Sequence, residues 1–569
     1  MNNQTWADVV VDELSRAGVC GFCVAPGSRS TPLALAVARR RGAASVVHFD
    51  ERGLAWHALG WARGAGRPVA VVCTSGTAAA NLLPAAVEAS MSRVPLVLVT
   101  ADRPPELQDC GANQTIDQRH IFGRHARAAL NLPCPCPDFP LGALRSALDK
   151  LVHAARTGPV HLNCMFREPL VPEGDAAPCR GGGGDGAAPM TAWNLPAPGL
   201  SEEDERWLLN TLSGARRGLL LAGGLHNPGE RDAAANLASA LRWPLFPDAL
   251  SGLRFMGLPS AVPCYDQLLL SPEFAGRLNP DCVLWLGGAF VSKRLNGQLS
   301  RFNCPVIQIC GHDGLTDPAR VVTRRFETDP AGFCRWLAPS AGFFDAPAWD
   351  MPWEALCGAV STVVEGSTGG GLTEPAVARM VTAAMGSGSV LFLGNSMPVR
   401  DADMHGVSSG GGAWVVANRG ASGIDGNIAT AAGLARGADR PVAALLGDLT
   451  ALHDLNSLAL AAAAERPLAL VVVNNGGGGI FSLLPVAGQK AHFERFFAAS
   501  HGYSLKKAAE MFGIPVRQPK TQAAFGAALR RALSGEGATL IEVFTSRKEN
   551  AALHASLGAK IQRVVGRML

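Results

Sequence analysis

Short, continuous apolar runs alternate with helical stretches along the first 178 residues of the chain. Each run ends in polar or glycine-rich positions, and a stretch with helical spacing follows. Uninterrupted apolar runs are typical of strands buried on both faces, and their alternation with helices indicates a parallel sheet wrapped by helices. The predicted strands are residues 22–25, 45–49, 69–73, 95–100 and 159–163, and the predicted helices include 54–63, 74–89 and 141–155.

The same rhythm recurs twice after this unit. The segments 179–200 and 338–352, rich in glycine, proline or alanine, predict linkers. The chain is therefore predicted to be an α/β protein of three doubly wound parallel-sheet domains, at residues 1–178, 201–337 and 353–569. The further predicted strands are 219–222, 283–286, 306–309, 390–393, 415–417, 441–446, 468–473 and 539–544, and the further predicted helices include 201–212, 427–435 and 454–464.

Composition narrows the class of protein. With 48% apolar and 17% charged residues, the chain has the make-up of a soluble globular protein, and its net charge of +4 does not favour nucleic-acid or membrane partners. Among the 14 cysteines, only Cys20/Cys23 and Cys134/Cys136 are close, and no second pair has zinc-finger spacing, so the cysteines suit a reducing cytoplasm better than a zinc site or a disulfide framework. The first 20 residues predict an amphipathic helix, not a signal peptide, and no apolar run is long enough to span a bilayer. We therefore expect a cytoplasmic protein without membrane insertion.

Polar side chains follow the predicted strands at the points where they end. Asp448 and Asn475 follow two successive strands of the third unit, separated by one helix and one strand. The carboxyl ends of parallel strands form the ligand-binding edge of an open α/β sheet. A carboxylate, an amide oxygen and glycine carbonyls suit Mg²⁺, which usually keeps phosphates in its remaining positions. In the first unit, the polar residues at this edge are Ser28, Arg29, Glu51, Ser75 and Arg103.

Two features of the second unit have competing interpretations. Paired glycines after the strands at 219–222 and 283–286 suggest a dinucleotide site, but neither pair belongs to the G-x-G-x-x-G pattern that opens a helix. The run Ser292-Lys293-Arg294 is interpreted, from the residues alone, as a solvated basic loop.

Several longer motifs resemble one family of thiamine diphosphate enzymes, the 2-succinyl-5-enolpyruvyl-6-hydroxy-3-cyclohexene-1-carboxylate (SEPHCHC) synthases of menaquinone biosynthesis. Gly447-Asp448 with Asn475 resembles the superfamily's diphosphate anchor, and Leu449, where many members have glycine, agrees with this family. Gly476 and Gly479 depart from it, because the family more often has Asn and Gln there. The matching motifs are APGSRSTPLALA (25–36), HFDERG (48–53), TSGTA (74–78), TADRPPEL (100–107), CGANQTI (110–116), GNSMPVRD (394–401), NRGASGIDG (418–426), GDLTALHDLNSL (447–458) and NNGGGGIFSLLP (474–485).

The resemblance implies a pyrimidine-binding domain, a central domain and a diphosphate-binding domain. Glu51 would hydrogen-bond the cofactor's aminopyrimidine ring; the competing interpretation is a charge at a helix N-terminus. Mg²⁺, with Mn²⁺ as the alternative, would be held by Asp448, Asn475 and the Gly477 carbonyl, whereas capping and turn formation are the ordinary roles of Asp and Asn. The implied cofactor-binding residues are Glu51, Ser75, Ser396, Gly423, Ile424, Asp448, Asn475, Ile480 and Phe481.

The family's reaction decarboxylates 2-oxoglutarate and adds the resulting succinyl group to isochorismate by conjugate addition. Both substrates are dianions, so the site needs fixed cations, and arginine suits carboxylates because its donors form a fork. Glu51, Gln114 and Arg29 are the implied catalytic residues, with Gln114 positioning or relaying a proton. The implied substrate-binding residues are Ser28, Arg29, Arg103, Asn113, Gln114, Lys293, Ser396, Arg400 and Arg419.

Superfamily members build each site from two subunits, so the resemblance implies a homodimer or a dimer of dimers. Three alternatives stay open at this stage. They are another thiamine diphosphate carboligase, such as an acetolactate-synthase-like enzyme with an FAD-binding middle domain, a cofactor-binding regulatory protein without catalysis, and a plain nucleotide-binding α/β protein.

Overall fold

A computed structural model describes residues 2–171, 188–194, 199–408 and 410–569 of the chain, so most of the predicted linker at 179–200 lies outside the described residues. A parallel sheet forms the first of three layered units, with the strand order β2-β1-β3-β4-β6-β5. Its strands are β1 (Gly21–Val24), β2 (Ser45–Val47), β3 (Val69–Cys73), β4 (Leu96–Asp102), β5 (Ala129–Leu132) and β6 (Val160–Met165), and its helices are α1 (Asn3–Arg16), α2 (Thr31–Arg39), α3 (Glu51–Ala65), α4 (Thr77–Asn81), α5 (Leu83–Ser92) and α6 (Leu141–Ala155).

The second sheet is also parallel, with the order β11-β10-β9-β7-β8. Its paired glycines serve packing, because the two turns touch: a Cβ on Gly223 would lie 1.9 Å from the carbonyl oxygen of Gly288. The strands are β7 (Gly218–Ala222), β8 (Leu245–Pro247), β9 (Cys282–Leu286), β10 (Val306–Cys310) and β11 (Arg324–Glu327), and the helices are α7 (Glu202–Ser213), α8 (Pro228–Leu241), α9 (Tyr265–Leu268), α10 (Pro272–Arg277), α11 (Lys293–Leu299) and α12 (Pro330–Ala341).

The third sheet has the order β13-β12-β14-β15-β17-β16, and every strand pair in the three sheets is parallel. The predicted α/β class with three parallel sheets is confirmed. Its strands are β12 (Val390–Leu393), β13 (Trp414–Val416), β14 (Val442–Gly447), β15 (Leu468–Asn474), β16 (Val516–Arg517) and β17 (Ala538–Phe544). Its helices are α13 (Trp353–Thr368), α14 (Glu374–Ala384), α15 (Met397–His405), α16 (Asn427–Ala438), α17 (Asp448–His453), α18 (Leu458–Ala462), α19 (Lys490–Phe493), α20 (Lys506–Met511), α21 (Gln522–Ser534) and α22 (Arg547–Met568).

Two helix predictions are wrong in detail. The single helix predicted over 74–89 is broken at Leu82, since Pro84 lies at the start of α5 and proline is tolerated only in the first turn of a helix. The helix predicted over 454–464 is replaced by a 3₁₀ turn, Leu455–Ser457, and the short helix α18. The Asp454 carboxylate stabilises this turn in place of a helix start, because it accepts from the Ser457 hydroxyl at 2.7 Å and from the Ala429 N–H at 2.9 Å.

Helices α3 and α16 join the first and third sheets into one hydrophobic core. Small residues permit their close approach: a Cβ on Gly433 would lie 2.0 Å from the His57 carbonyl oxygen. Because α3 is buried against α16, the position of Glu51, the first residue of α3, is fixed relative to the third sheet. Within the described ranges, no helix has the length and apolarity that a membrane span requires.

The imidazole of His57, buried between these helices, predicts sensitivity to acid. Burial, with the nearby Arg436 guanidinium, lowers the pKa of His57 to about 3. The folded state therefore binds fewer protons than the unfolded state below pH 6.5, so stability present above that pH is lost as the pH falls toward 3. We expect His57 to cost about 2 kcal/mol of unfolding free energy between pH 7 and pH 5.

Urea unfolding of the parent protein and of His57→Gln at both pH values checks this expectation. The acid-induced loss should be smaller in the variant, whose side chain does not titrate, and the other buried histidines cancel in the comparison. Equal acid-induced losses in the two proteins would contradict it.

Candidate functional site

A cavity of about 350 Å³ opens at the carboxyl edge of the third sheet. The strand order reverses at this point, because β13 lies beyond β12 on one side while β14 and β15 continue on the other. Open α/β sheets bind ligands at such a switch point. The residues lining it include Glu374, Asn395, Ser396, Arg400, Asp401, Arg419, Ile424, Asp448, Asn475, Gly477, Ile480 and Phe481.

Asp448 is the first residue of α17 and directly follows β14. Its carboxylate accepts from the Gly477 N–H at 2.9 Å and from the Leu449 N–H at 2.7 Å. Burial nevertheless raises the pKa of Asp448. A bound cation would offset this cost, because an adjacent positive charge favours the ionised carboxylate.

Asn475 lies beside Asp448 because β14 and β15 are paired in register, with Gly447 opposite Val473. The Asn475 side chain donates through Nδ2 to Glu374 at 2.9 Å, while its Oδ1 is buried and has no hydrogen-bond partner. A buried acceptor without a partner is costly unless a ligand satisfies it. Together with the Asp448 carboxylate and the Gly477 carbonyl, this oxygen provides the donor set that fits Mg²⁺.

Two further side chains at this point were not predicted from the sequence. Nε2 of His501 lies 3.3 Å from Oδ2 of Asp448. Glu374, at the start of α14, orients Asn475, and burial together with the Asp401 carboxylate raises the pKa of Glu374 to about 7. Glu374 looked like an ordinary helix-start residue, and nothing near His501 in the sequence pointed to a site.

Two neighbouring arginines also line the cavity. The guanidinium of Arg419 donates to Oδ1 of Asn395 at 3.0 Å, and that of Arg400 donates to the Ser396 carbonyl at 2.5 Å. Burial and the charge of Arg419 lower the pKa of Arg400. Such a pair favours an anionic ligand. Ser396 adopts a φ of 73°, a strained conformation for a non-glycine residue that is common at functional sites.

Asn395 connects the segment just before α15, the helix that holds Arg400, with the loop that holds Arg419. Its amide donates to the carbonyls of Asn418 and Gly423, both at 2.7 Å. The Arg419 loop is also fixed to the first unit of the same chain: the fully buried Glu88 of α5 accepts from the N–H groups of Gly420 at 2.9 Å and Ala421 at 2.7 Å.

Ile424, Ile480 and Phe481 form the apolar part of the cavity lining. The last two belong to a 3₁₀ segment, Gly479–Leu483, that follows the glycine-rich turn. In that turn, Gly476 has a φ of 74°, and a Cβ on Gly479 would lie 2.6 Å from the Asn475 amide nitrogen. Glycine therefore suits both positions at which the chain departs from the family pattern. Gly476 has a positive φ, and Gly479 leaves room for the Asn475 side chain.

A second group of predicted residues meets at the carboxyl edge of the first sheet. The Ser75 hydroxyl donates to the Gln114 carbonyl and the Gln114 amide donates to the Ser75 carbonyl, both at 2.9 Å. The Arg103 guanidinium contacts the Ser75 hydroxyl, and the charge of Arg29 contributes to lowering the pKa of Arg103 after burial, the main cause. Ser28 and Asn113 lie exposed in the loops nearby in sequence.

Glu51 is half-buried at the start of α3. The helix is capped by Asp50 instead, whose carboxylate accepts from the N–H groups of Arg52 at 3.0 Å and Gly53 at 3.4 Å. Among the described residues, no hydrogen bond or ion pair engages the Glu51 carboxylate. The N-terminus of α3 is therefore capped without Glu51.

One chain does not bring the two groups into one cavity. Within the described part of the chain, all cavity-lining residues fall between Glu374 and Leu484, and none belongs to the first sheet. Lys293 also lies outside the cavity lining: it is exposed on α11, while its neighbour Arg294 pairs with Asp266. The predicted residues outside the lining are Ser28, Arg29, Glu51, Ser75, Arg103, Asn113, Gln114, Lys293 and Gly423.

Three family models match the chain in succession. The N-terminal TPP binding domain of thiamine pyrophosphate enzymes matches residues 4–121, the thiamine pyrophosphate middle domain matches 203–393, and the C-terminal TPP binding domain matches 405–543. The first model contains the polar edge of the first sheet, and the last contains Arg419, Asp448 and Asn475 of the cavity, whereas Asn395, Ser396 and Arg400 lie between the last two matches.

Relatives match over nearly the full length. A protein of Rubrobacter xylanophilus is 45% identical over 98% of both chains. One from Salinibacter ruber is 42% identical over 98% of this chain and 97% of its own, and one from Chlorobium phaeobacteroides is 39% identical over all of both chains. Each is named 2-succinyl-5-enolpyruvyl-6-hydroxy-3-cyclohexene-1-carboxylate synthase.

Proposed function

Because the chain belongs to the SEPHCHC synthase family of thiamine diphosphate-dependent enzymes, we propose that it uses Mg²⁺ to join 2-oxoglutarate and isochorismate. The products are CO₂ and 2-succinyl-5-enolpyruvyl-6-hydroxy-3-cyclohexene-1-carboxylate, formed in the cytoplasm for menaquinone biosynthesis. The observation that supports this proposal most strongly is the pairing of the Asp448 carboxylate with the unpartnered Asn475 oxygen at adjacent strand ends.

These residues would hold the diphosphate through the metal. Asp448, Asn475 and the Gly477 carbonyl supply hard oxygen ligands, and the diphosphate would take part of the remaining coordination. Ile424, Ile480 and Phe481 would pack against the cofactor's rings, with Ser396 and Gly423 beside them. When bound, thiamine diphosphate supplies a nucleophilic carbon and an electron sink for the decarboxylation.

Glu51 would hold a proton at the aminopyrimidine ring. A carboxylate suits this task because it forms a short, charge-assisted hydrogen bond with a ring nitrogen. The Glu51 carboxylate is available for it, since Asp50 already caps α3.

The substrate carboxylates would be divided between two cation groups. Arg400 and Arg419, with Ser396, lie at the third sheet, and Arg29 and Arg103, with the donors Ser28, Asn113 and Gln114, lie at the first. Arginine forks bind carboxylates with two parallel hydrogen bonds. Lys293 would add a cation from α11, and Gln114 would position or relay a proton during the addition to isochorismate.

We further propose that two chains complete each site. The first-sheet group and the third-sheet cavity are separate in one chain, and a two-fold dimer would place the Glu51 edge of one protomer over the cavity of its partner. A dimer of such dimers would preserve the same contact.

The substrate proposal is tested by following isochorismate in the presence of 2-oxoglutarate, thiamine diphosphate and Mg²⁺. Isochorismate should disappear only when all components are present, and pyruvate should not replace 2-oxoglutarate. Persistence of isochorismate would contradict the substrates. A yellow protein with flavin absorbance and pyruvate turnover would favour the acetolactate-synthase-like alternative, and a colourless protein without any 2-oxo-acid turnover would favour a regulatory role.

Removing one cavity arginine should weaken substrate binding. In Arg419→Ala, we expect the KM of one dianionic substrate to rise about 10- to 100-fold, because a hydrogen bond to a charged group is lost. Initial rates at varied concentrations of each substrate measure the change. Arg440→Ala is the matched control, since Arg440 precedes β14 at the opposite edge of the sheet. Equal KM values in the two variants would contradict the role of Arg419.

A further inference from the structure

Two cysteines that are far apart in the sequence meet between the second and third units. The Sγ atoms of Cys264 and Cys357 lie 3.1 Å apart, although 93 positions separate the two residues. This separation is only about 1 Å longer than a disulfide bond. Cys264 directly precedes α9, and Cys357 lies in the first turns of α13.

The surrounding core holds the two sulfurs in place. Cys264 is 7% exposed, and Cys357 packs against the same hydrophobic cluster, which combines Tyr265 and Leu268 with Leu356 of α13. Cys264 is the N-cap residue of α9, and Cys357 lies within α13. Forming a bond would need the two sulfurs to approach by about 1 Å.

The two thiols differ in the way that disulfide formation requires. Cys357 is half-buried and accessible from solvent, whereas Cys264 is buried. The Cys264 thiol donates its hydrogen bond to the Cys357 sulfur, which lowers the pKa of Cys357, while this bond and burial raise the pKa of Cys264. The guanidinium of Arg254 lies near both sulfurs and favours a thiolate.

We propose that Cys264 and Cys357 form a reversible disulfide when the protein meets a hydroperoxide, and that this bond ties the second unit to the third. The Cys357 thiolate attacks hydrogen peroxide, so that an S–O bond forms, the O–O bond breaks, and hydroxide leaves and takes up a proton as water. The Cys264 sulfur then attacks the resulting sulfenic acid. An S–S bond forms, the S–O bond breaks, and a second water leaves with the Cys264 proton. Two thiols lose two electrons to the peroxide.

The disulfide would form in a part of the fold that is connected to Asn475 of the proposed metal site. Helix α13 packs against α22, whose first residue, Arg547, donates through Nε to the Asn475 carbonyl at 3.3 Å. Oxidation would close the loop from residue 264 to residue 357 and restrain the packing on which this contact depends. The proposed disulfide depends on the position of the two sulfurs and not on the proposed reaction.

The test uses the full-length protein, oxidised with one equivalent of hydrogen peroxide, quenched with an alkylating reagent and digested with trypsin. Each cysteine lies in a tryptic peptide that contains no other cysteine, residues 255–277 and 336–379. We expect these two peptides to be joined, to separate on reduction, and to account for the loss of two of the 14 thiols. The oxidised protein should also unfold at a temperature higher by at least about 2 °C.

Variants provide the controls. Cys357→Ser and Cys264→Ser should each abolish the joined peptides, while Cys304→Ser, which removes another half-buried thiol of the second unit, should retain them. Because oxidised and reduced parent protein give the primary result, the test does not depend on the folding of any variant. Separate, unjoined 255–277 and 336–379 peptides after oxidation would overturn the proposal, as would linkage of either cysteine to a different partner.

Discussion

Glu51→Gln is expected to retain thiamine diphosphate binding and to lose turnover by about 100- to 10,000-fold, the range for removal of an acid–base group. The amide has nearly the same shape as the carboxylate but cannot share a proton with a ring nitrogen as an anion does. The fold should tolerate the change, because Asp50 caps α3 and the Glu51 carboxylate takes part in no hydrogen bond in the described structure.

The measurements for Glu51→Gln are kcat with 2-oxoglutarate and the cofactor dissociation constant, determined separately. Glu203→Gln, at an exposed position of α7, is the matched substitution and should leave both unchanged. Turnover of Glu51→Gln within tenfold of the parent would contradict the assigned role. A parallel loss of cofactor binding and of kcat would show a role in binding instead of proton transfer.

Asp448→Asn should reduce Mg²⁺-dependent affinity for thiamine diphosphate by at least about 100-fold. Burial already makes the Asp448 charge costly, and a metal ion is the group that would compensate it. The asparagine side chain can still accept one backbone N–H bond, so the turn should form. What it loses is the negative charge that a divalent cation requires beside the neutral oxygens of Asn475 and Gly477.

Titration of the cofactor by calorimetry, with Mg²⁺ and then with a chelator, measures this effect. In the parent protein the chelator should abolish tight binding, whereas in Asp448→Asn it should change little, because the metal-dependent part is already lost. Asp439→Asn is the matched control, an exposed carboxylate before β14 that pairs with Arg466. Unchanged affinity in Asp448→Asn, or affinity that ignores the chelator in the parent, would contradict the metal site.

The parts of the fold set by local pattern were predictable from the sequence. Buried strands such as β3 and β15 are continuous apolar runs, and the polar residues that follow them, Ser75 and Asn475, lie at the sheet edges expected for them. Short strands without such a run, β5, β8, β11 and β16, were not predicted. The 3₁₀ turn that replaces the start of the helix predicted over 454–464 also escaped prediction, because it depends on hydrogen bonds of Asp454, one of them from the distant Ala429 N–H.

The missing parts of the site depend on contacts between distant segments. Glu374 lies 101 positions from Asn475, and its role follows only from the hydrogen bond that joins their side chains. Asn395 links two loops through backbone carbonyls, which have no sequence signature. His501 approaches Asp448 from a segment without regular periodicity. The sequence shows which residue types are present, but it does not show which distant residues the fold brings next to them.

Within one chain, the Glu51 group at the first sheet is separate from the Asp448 cavity at the third sheet. The central claim is therefore that two chains together form each complete site. It is tested by co-expressing Glu51→Gln and Asp448→Asn chains with different tags and purifying the mixed dimers. If each site combines the first sheet of one chain with the third sheet of its partner, one of the two sites contains neither substitution, and the mixed dimer should recover roughly half of the parent kcat. Activity no higher than that of either single variant, in verified mixed dimers, would contradict the shared site.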